Sequence, residues 1–407
     1  MGMFTSLTAR ILGIAFLFTA SLFFLLFQGG KLAFMVFTIV GSLCIYLMLG
    51  RWSGISRARV LLSIPDTEYG AAIEAGTSVS VNIQVHIPGL WPIPYVKVKE
   101  RLFRQGREEH VLETFLIPDW KRRAEVSCLT PPLRRGIYRF EVTDCSTEDI
   151  FGLFQHKGHL RLPYDFKVQP QRTRIREWKE LHQRLPGGQF QTAKTRSHRE
   201  STQLSGVRDY INGDRLSRIH WRATAKTGTW KSKEYEREAA PKIVIILDRS
   251  IQAYDNNDHY EMAVSITASI LEYAASRELA IELVSAGKNT TYFEQSGAIQ
   301  QNAIMNHLID TEPDGVDFLL DMLRERVRLF TPGSFLVVVS PQYGHALSQT
   351  LAWLEQRRMK TCHMWVAAGV PKTEQEHWKR HLQTARILGY EITSLDELSL
   401  KLGGVMK

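Results

Sequence analysis

Two apolar runs dominate the start of the chain. Ile11 to Phe27 is broken only by Thr19 and Ser21, and Leu32 to Leu49 only by Thr38 and Ser42. Gln28-Gly29-Gly30-Lys31 joins them. Each run approaches the roughly 20 residues that carry a helix across a bilayer core. The pattern therefore predicts a transmembrane hairpin over 1–52. A cleaved leader fits less well, because no small-x-small site follows Phe27 and a second apolar run comes at once. Arg10 precedes the first run, Arg51, Arg57 and Arg59 follow the second, and Lys31 is the one charge between them. This arginine excess puts both ends in the cytoplasm. The expectation is a two-helix protein of the cell membrane with the bulk of the chain cytoplasmic.

The period then changes to two. In SVSVNIQVHIP, Val79, Val81, Ile83, Val85 and Ile87 alternate with polar residues, as a half-buried strand requires. GLWPIP breaks the run and YVKVKERLF resumes it. HVLETFLI, RAEVSCL, GIYRFEVTD and FKVQP read as further strands, which predicts a small sandwich-like β domain over 53–170. Residues 171–205 are polar and basic and read as a linker or mobile loop.

From Pro241 strands and helices alternate. KIVIILD is a continuous apolar run, expected of a strand buried on both faces. HYEMAVSITASILEYAASR carries Met262, Ile266, Ile270 and Tyr273 at helical spacing. AIELVSAG, FLLDMLRERVRLF, FLVVVS, HALSQTLAWLEQRR, CHMWVAAG, EQEHWKRHLQTARILG and YEITSL continue the alternation. The predicted class is α/β, with a doubly wound, mostly parallel sheet beginning near Pro241 inside a C-terminal region taken as 206–407.

Composition adds a few limits. The 407 residues carry a net charge of +9, which suits an anionic membrane surface or an acidic partner. Cys44, Cys128, Cys145 and Cys362 are far apart, so neither a disulfide framework nor a zinc site is expected.

Three stretches carry candidate chemistry. Asp248-Arg249-Ser250 ends the first strand of the α/β part, where sites in such sheets lie. Asp248 and Ser250 are oxygen ligands suited to magnesium, or else turn caps. No cofactor other than magnesium is suggested. The run Lys231 to Glu238 alternates charge, so a strand would align Glu234, Glu236 and Glu238 on one face. These would hold a metal or serve as acid–base groups, or simply mark a solvated edge. The third stretch is GDRLSRIHWRATAKTGTWKSKEYE. From its residues Trp221 reads as a core or interface anchor and His220 as a hydrogen-bonded neighbour. As a docking surface the stretch would use Arg218, His220, Trp221, Arg222, Lys226 and Tyr235, with Trp221 and Tyr235 as buried anchors and the arginines as orienting charge. No serine or cysteine nucleophile motif accompanies His220. Acidic residues dilute the basic cluster, so no nucleic acid is expected.

With these residues laid out, the chain resembles the domain of unknown function 58 family. Arg135-Gly136-Ile137-Tyr138 and Glu148-Asp149-Ile150-Phe151-Gly152-Leu153-Phe154 are similar to its RG-x-Y and DPFGL-F elements, with Ile150 in place of proline. GVRDYINGDRLSRIHWRATAKTGTWKSKEYERE followed by KIVIILDRS is similar to its core signature. The resemblance implies a von Willebrand factor A-like C-terminal domain with a D-x-S-x-S magnesium loop. Gln252 and Pro341 depart from that pattern, which implies a degenerate loop. It also implies a MoxR-type AAA+ ATPase as partner, together with a transglutaminase-like membrane protein. The resulting expectation is a non-enzymatic, membrane-anchored protein-binding module. The alternatives are a membrane scaffold without an ATPase, or a hydrolase using His220 and Glu234, Glu236 and Glu238.

Overall fold

The computed structural model describes residues 2–50, 53–65, 72–89, 93–184, 200–237, 242–277, 279–294, 298–316 and 318–403. The chain divides into two units, Met1–Gln169 and Pro170–Lys407. It is a mixed α/β protein with two apolar N-terminal helices.

In the first unit, α1 (Gly2–Gln28) and α2 (Gly30–Leu49) form an antiparallel hairpin. Gly29 and Gly30 at its turn have φ of 57° and 81°, a left-handed conformation that costs glycine little. Both helices are long and apolar enough to cross a bilayer. Two sheets follow, packed face to face. One has the order β1-β3-β6, from β1 (Arg59–Ser63), β3 (Ser80–His86) and β6 (Arg123–Leu129). The other has the order β2-β8-β7-β4-β5, from β2 (Ile73–Glu74), β4 (Val96–Arg104), β5 (Arg107–Leu116), β7 (Gly136–Glu148) and β8 (Gln155–Gln169). The predicted strands recur, and β1 and β2 are additions. The period-two residues Val81, Ile83 and Val85 meet Val96, Val98, Leu102, Tyr138 and Phe140 in one apolar core.

One polar residue takes an inward position in that core. Glu100 follows Val96 and Val98 on the buried face of β4 and is itself fully buried. Burial lifts its carboxyl to about 7; the Thr143 hydroxyl opposes the rise and the Asp144 charge adds to it. The folded state thus holds a proton between about 4.5 and 7 that the unfolded chain releases. Stability contributed at this site is retained below that window and lost as pH rises through it. Glu100→Gln is expected to leave urea stability nearly unchanged at pH 4.5. At pH 8 it is expected to raise stability by about 3 kcal/mol. An equal effect at both pH values would contradict the buried-acid account.

The second unit is built on a six-stranded sheet of order β13-β12-β11-β14-β15-β16. Its strands are β11 (Ile243–Asp248), β12 (Ile281–Ala286), β13 (Thr291–Glu294), β14 (Phe335–Ser340), β15 (Lys360–Val366) and β16 (Leu388–Ile392). All pairings are parallel except that of the short edge strand β13, which the hydrophobic pattern does not reveal. Every residue of β11 and β14 is buried, as the continuous apolar runs require.

Alternate residues serve opposite faces. Ile243, Ile245 and Leu247 join the core shared with α5 (Asn257–Ser276), α6 (Ala298–Asp310) and α10 (Leu395–Lys401). Val244 and Ile246 join the core shared with α7 (Phe318–Glu325), α8 (His345–Gln356) and α9 (Lys372–Thr384).

The stretch expected as a linker from 171 to 205 is partly structured. Ile175, Trp178 and Leu181, the last on α3 (Lys179–Arg184), lie in the first of these cores. The Trp178 indole donates to the Tyr390 hydroxyl at 3.3 Å. The polar composition of the segment conceals this apolar face. Residues 185–199 lie outside the described residues. From Glu200 the chain forms β9 (Glu200–Asp209), which pairs antiparallel with β10 (Lys231–Arg237) as a separate two-stranded ribbon.

Candidate functional site

Two places in the second unit hold the residues singled out in the sequence. The first is the ribbon and the segment it encloses. After β9 the chain makes a single 3-10 turn, Leu216–Arg218, then α4 (Trp221–Thr227), and returns as β10. His220 is the N-cap of α4. Its Nδ1 accepts the Ala223 amide at 3.0 Å, which satisfies one of the donors a helix start leaves open. His220 is therefore engaged structurally. Gly228, with φ of 72°, ends the helix, its amide donating to Thr224 at 2.9 Å.

The helix is fastened to the ribbon through main chain and hydroxyl. The His220 amide donates to the Lys231 carbonyl at 2.8 Å, and the Lys231 amide donates to Thr224 Oγ1 at 3.0 Å. Ile219 and Ser232, bridged to one another, are buried beneath it. Arg208 pairs with Asp214 at 2.8 Å and Lys231 with Asp209 at 2.5 Å. The Arg208 hydrogen bond, followed by that of the Ile211 amide, holds the Asp214 carboxyl below its usual range.

Of the two places open to Trp221, core or interface, the core is excluded. Trp221 is 66% exposed, and Trp230 beside it is 51% exposed. Their ring centroids lie 6.4 Å apart, and Tyr210 packs against Trp230 at 5.6 Å. Ile211 and Leu216 are exposed on the same segment. The exclusion has a physical reason. The ribbon and one short helix enclose too little volume to bury an indole, so the rings lie tilted against one another on the outside. Arg222 and Lys226, one helical turn apart, are exposed on α4, whereas Arg218 is half-buried in the turn.

Sequence reasoning misses Tyr210 and Trp230, because their pairing depends on the ribbon register. The side chain of Tyr235 and those of Glu234 and Glu236 lie outside the described residues, as does Glu238 altogether. Register shifts flank Tyr235, so strict alternation of faces does not persist along β10.

The second place is the carboxyl end of β11. Asp248 is fully buried. Its Oδ1 accepts the Ser250 amide at 3.0 Å and the Ser250 hydroxyl at 2.6 Å, while its Oδ2 accepts the Ser340 hydroxyl at 2.6 Å. The Gln342 amide donates to Ser340 Oγ at 3.0 Å, and the Tyr254 hydroxyl donates to the Asp248 carbonyl at 2.6 Å. Burial pushes the Tyr254 phenol well above its ordinary range. Arg249 pairs with Asp314 at 2.6 Å. Ser340 and Gln342 are not legible in the sequence as members of this cluster. They are about ninety residues away and meet Asp248 only through adjacent parallel strands.

Both oxygens of the one carboxylate accept hydroxyl hydrogens, the arrangement expected of the turn-cap alternative for Asp248 and Ser250. Gln252 lies exposed on the following 3-10 turn, Ile251–Ala253. Among the described residues, no group of three or more His, Cys, Asp and Glu side chains converges as a metal site.

The cluster instead staples β11 to β14. Asp248→Ala, which strands two buried hydroxyls, is expected to cost about 2–4 kcal/mol in urea unfolding, and Ser340→Ala about 1 kcal/mol. Millimolar magnesium is expected to leave the melting temperature of the wild-type protein unchanged. A rise of several degrees that Asp248→Ala abolishes would contradict this assignment.

Residues 206–367, which contain the second place and the first apart from the opening residues of β9, match the family model described as Protein of unknown function DUF58. The chain is 24% identical over 314 residues to the uncharacterized protein YeaD of Bacillus subtilis (strain 168), spanning 76% of this chain and 77% of that one. Two solved structures align with 40% of the chain. The conserved hypothetical protein BatB from Bacteroides thetaiotaomicron does so at 9% identity and a TM-score of 0.28, over 96% of its own length. Proximal thread matrix protein 1 from the mussel byssus does so at 15% identity and a TM-score of 0.29, over only 45% of its length.

Proposed function

We propose that this chain, which carries a DUF58-family domain at residues 206–367, is a non-enzymatic, membrane-anchored protein-binding module. The paired exposed indoles of Trp221 and Trp230 carry the reading. Large aromatic side chains left open on a fastened element are the commonest anchors of protein interfaces. Tyr210, Leu216 and Ile211 extend the apolar area, and the cations Arg222 and Lys226 flank it. A partner with an apolar pocket rimmed by acidic residues would complement it.

The apolar hairpin α1–α2 supports anchorage in the cell membrane, and the arginines around it favour a cytoplasmic face for the rest of the chain. The strand order of the six-stranded sheet, with its one antiparallel edge, supports a von Willebrand factor A-like reading of the second unit. Asp248 and Ser250 take the first positions of the loop such domains use. In this chain the loop serves as a staple. By family resemblance the partner is a MoxR-type AAA+ ATPase, with a transglutaminase-like membrane protein as a further associate. The engagement of His220 as a helix cap weighs against its use as a hydrolytic base.

The double substitution Trp221→Ala/Trp230→Ala in the full-length protein is expected to weaken binding of the purified ATPase about 100-fold, the equivalent of about 3 kcal/mol. Circular dichroism should be unchanged. Arg222→Glu is expected to slow association and reduce its salt dependence. Undiminished binding by the double variant would rule out this docking surface.

A further inference from the structure

The strand registers gather several connections of the β-sandwich at one end. Val96 faces Leu116, Glu148 faces Gln155, and His86 faces both Arg59 and Arg123. The connections 117–122 and 149–154 therefore share the end at which the chain enters the sandwich from α2. Side chains tie both connections to that entry. The Arg122 guanidinium donates to the Ser53 carbonyl. Arg10 of α1 donates to the carbonyls of Leu153 and Gly152 at 3.1 and 3.4 Å, and Tyr46 of α2 meets Phe151 edge to face at 6.3 Å.

The 149–154 loop is tightly built. Asp149 Oδ1 accepts the amides of Phe151 and Leu153 at 2.8 and 3.3 Å, and its Oδ2 accepts that of Phe154 at 2.6 Å. Yet Ile150 is 69% exposed and Phe151 58%, and on the neighbouring connection Ile117 is 82% and Trp120 88% exposed. The Lys121 ammonium lies 5.1 Å from the Trp120 ring centroid. Arg57, Arg59 and Arg123 are exposed at the same end.

The level of these side chains is set by the hairpin. Arg10 stands immediately before the first apolar run, and Tyr46 about one turn inside the end of the second. Phe151, against Tyr46, is thus at the height where an apolar span gives way to polar surroundings. Tryptophan and phenylalanine flanked by lysine and arginine suit that layer, with the rings among the upper acyl chains and the cations at anionic phosphates.

We propose that this end of the β-sandwich is seated in the headgroup layer of the same bilayer, with Ile117, Trp120, Ile150 and Phe151 inserted and Arg57, Arg59, Lys121 and Arg123 facing anionic lipid. The proposal rests on the membrane-anchored reading of the hairpin. It gives the β unit a function of its own, since it fixes the unit upright on the membrane.

The test uses the full-length protein in vesicles of phosphatidylcholine and phosphatidylglycerol that carry a clickable acyl chain. Benzoylphenylalanine is placed singly at Phe16 in α1, at Trp120, at Phe151, and at Arg107, which opens β5 at the opposite end of the sandwich. On irradiation, labelling by lipid is expected at 16, 120 and 151, each several-fold above 107. If 16 is labelled while 120 and 151 stay at the level of 107, or crosslink to protein, the proposal is overturned and the anchor stands. If 16 is not labelled either, the anchored reading fails and the proposal falls with it.

Discussion

The burial of β11 on both faces governs the second unit. A strand whose six residues are all enclosed can be covered only by helices on each side of the sheet, and the alternation of Ile243, Ile245 and Leu247 with Val244 and Ile246 divides the interior into two cores. Little of the sheet is then available for recognition. What remains are the carboxyl ends of the strands and the elements outside the sheet. At the strand ends the side chains turn inward, with Asp248 consumed by Ser250 and Ser340. In the proposed function recognition is assigned to the ribbon β9–β10 and its short helix, where Trp221 and Trp230 are exposed.

The two candidate places illustrate opposite uses of polar and apolar groups. The Asp248 cluster buries a carboxylate and supplies it with hydroxyl and amide donors, so the charge stabilises the junction of two parallel strands. The ribbon segment exposes indoles that would gain by burial and holds them with backbone hydrogen bonds, a helix cap at His220 and a left-handed stop at Gly228. A fixed apolar surface loses little conformational entropy on binding, which is the condition for an effective anchor. The hairpin and the sandwich of the first unit serve a complementary role in the proposed function, that of holding the binding unit at the membrane.

Much of this organisation is legible in the sequence, for local reasons. Period-two runs such as Val81, Ile83 and Val85, and continuous runs such as IVIILD, report burial directly, so the hairpin, the sandwich and the α/β sheet follow from the hydrophobic pattern alone. The losses are nonlocal. Trp178 sits in a polar stretch and finds its place only against Tyr390, more than two hundred residues on. Ser340 gains meaning from a neighbouring strand. Glu100 occupies a position that the alternation marks as inward, yet its charge argues the opposite. Trp221 reads as a core or interface anchor, and the sequence leaves the two open, because hydrophobicity alone does not distinguish a ring that is buried from one that is displayed.

The most direct test of the docking surface is hydrogen exchange on the full-length protein, in detergent, with and without the purified MoxR-type ATPase. A partner seated on the Trp221–Trp230 face predicts added protection concentrated in 206–233, with the strand-end segment 248–252 unchanged. Protection confined to 248–252, or none anywhere at saturating ATPase, would contradict it.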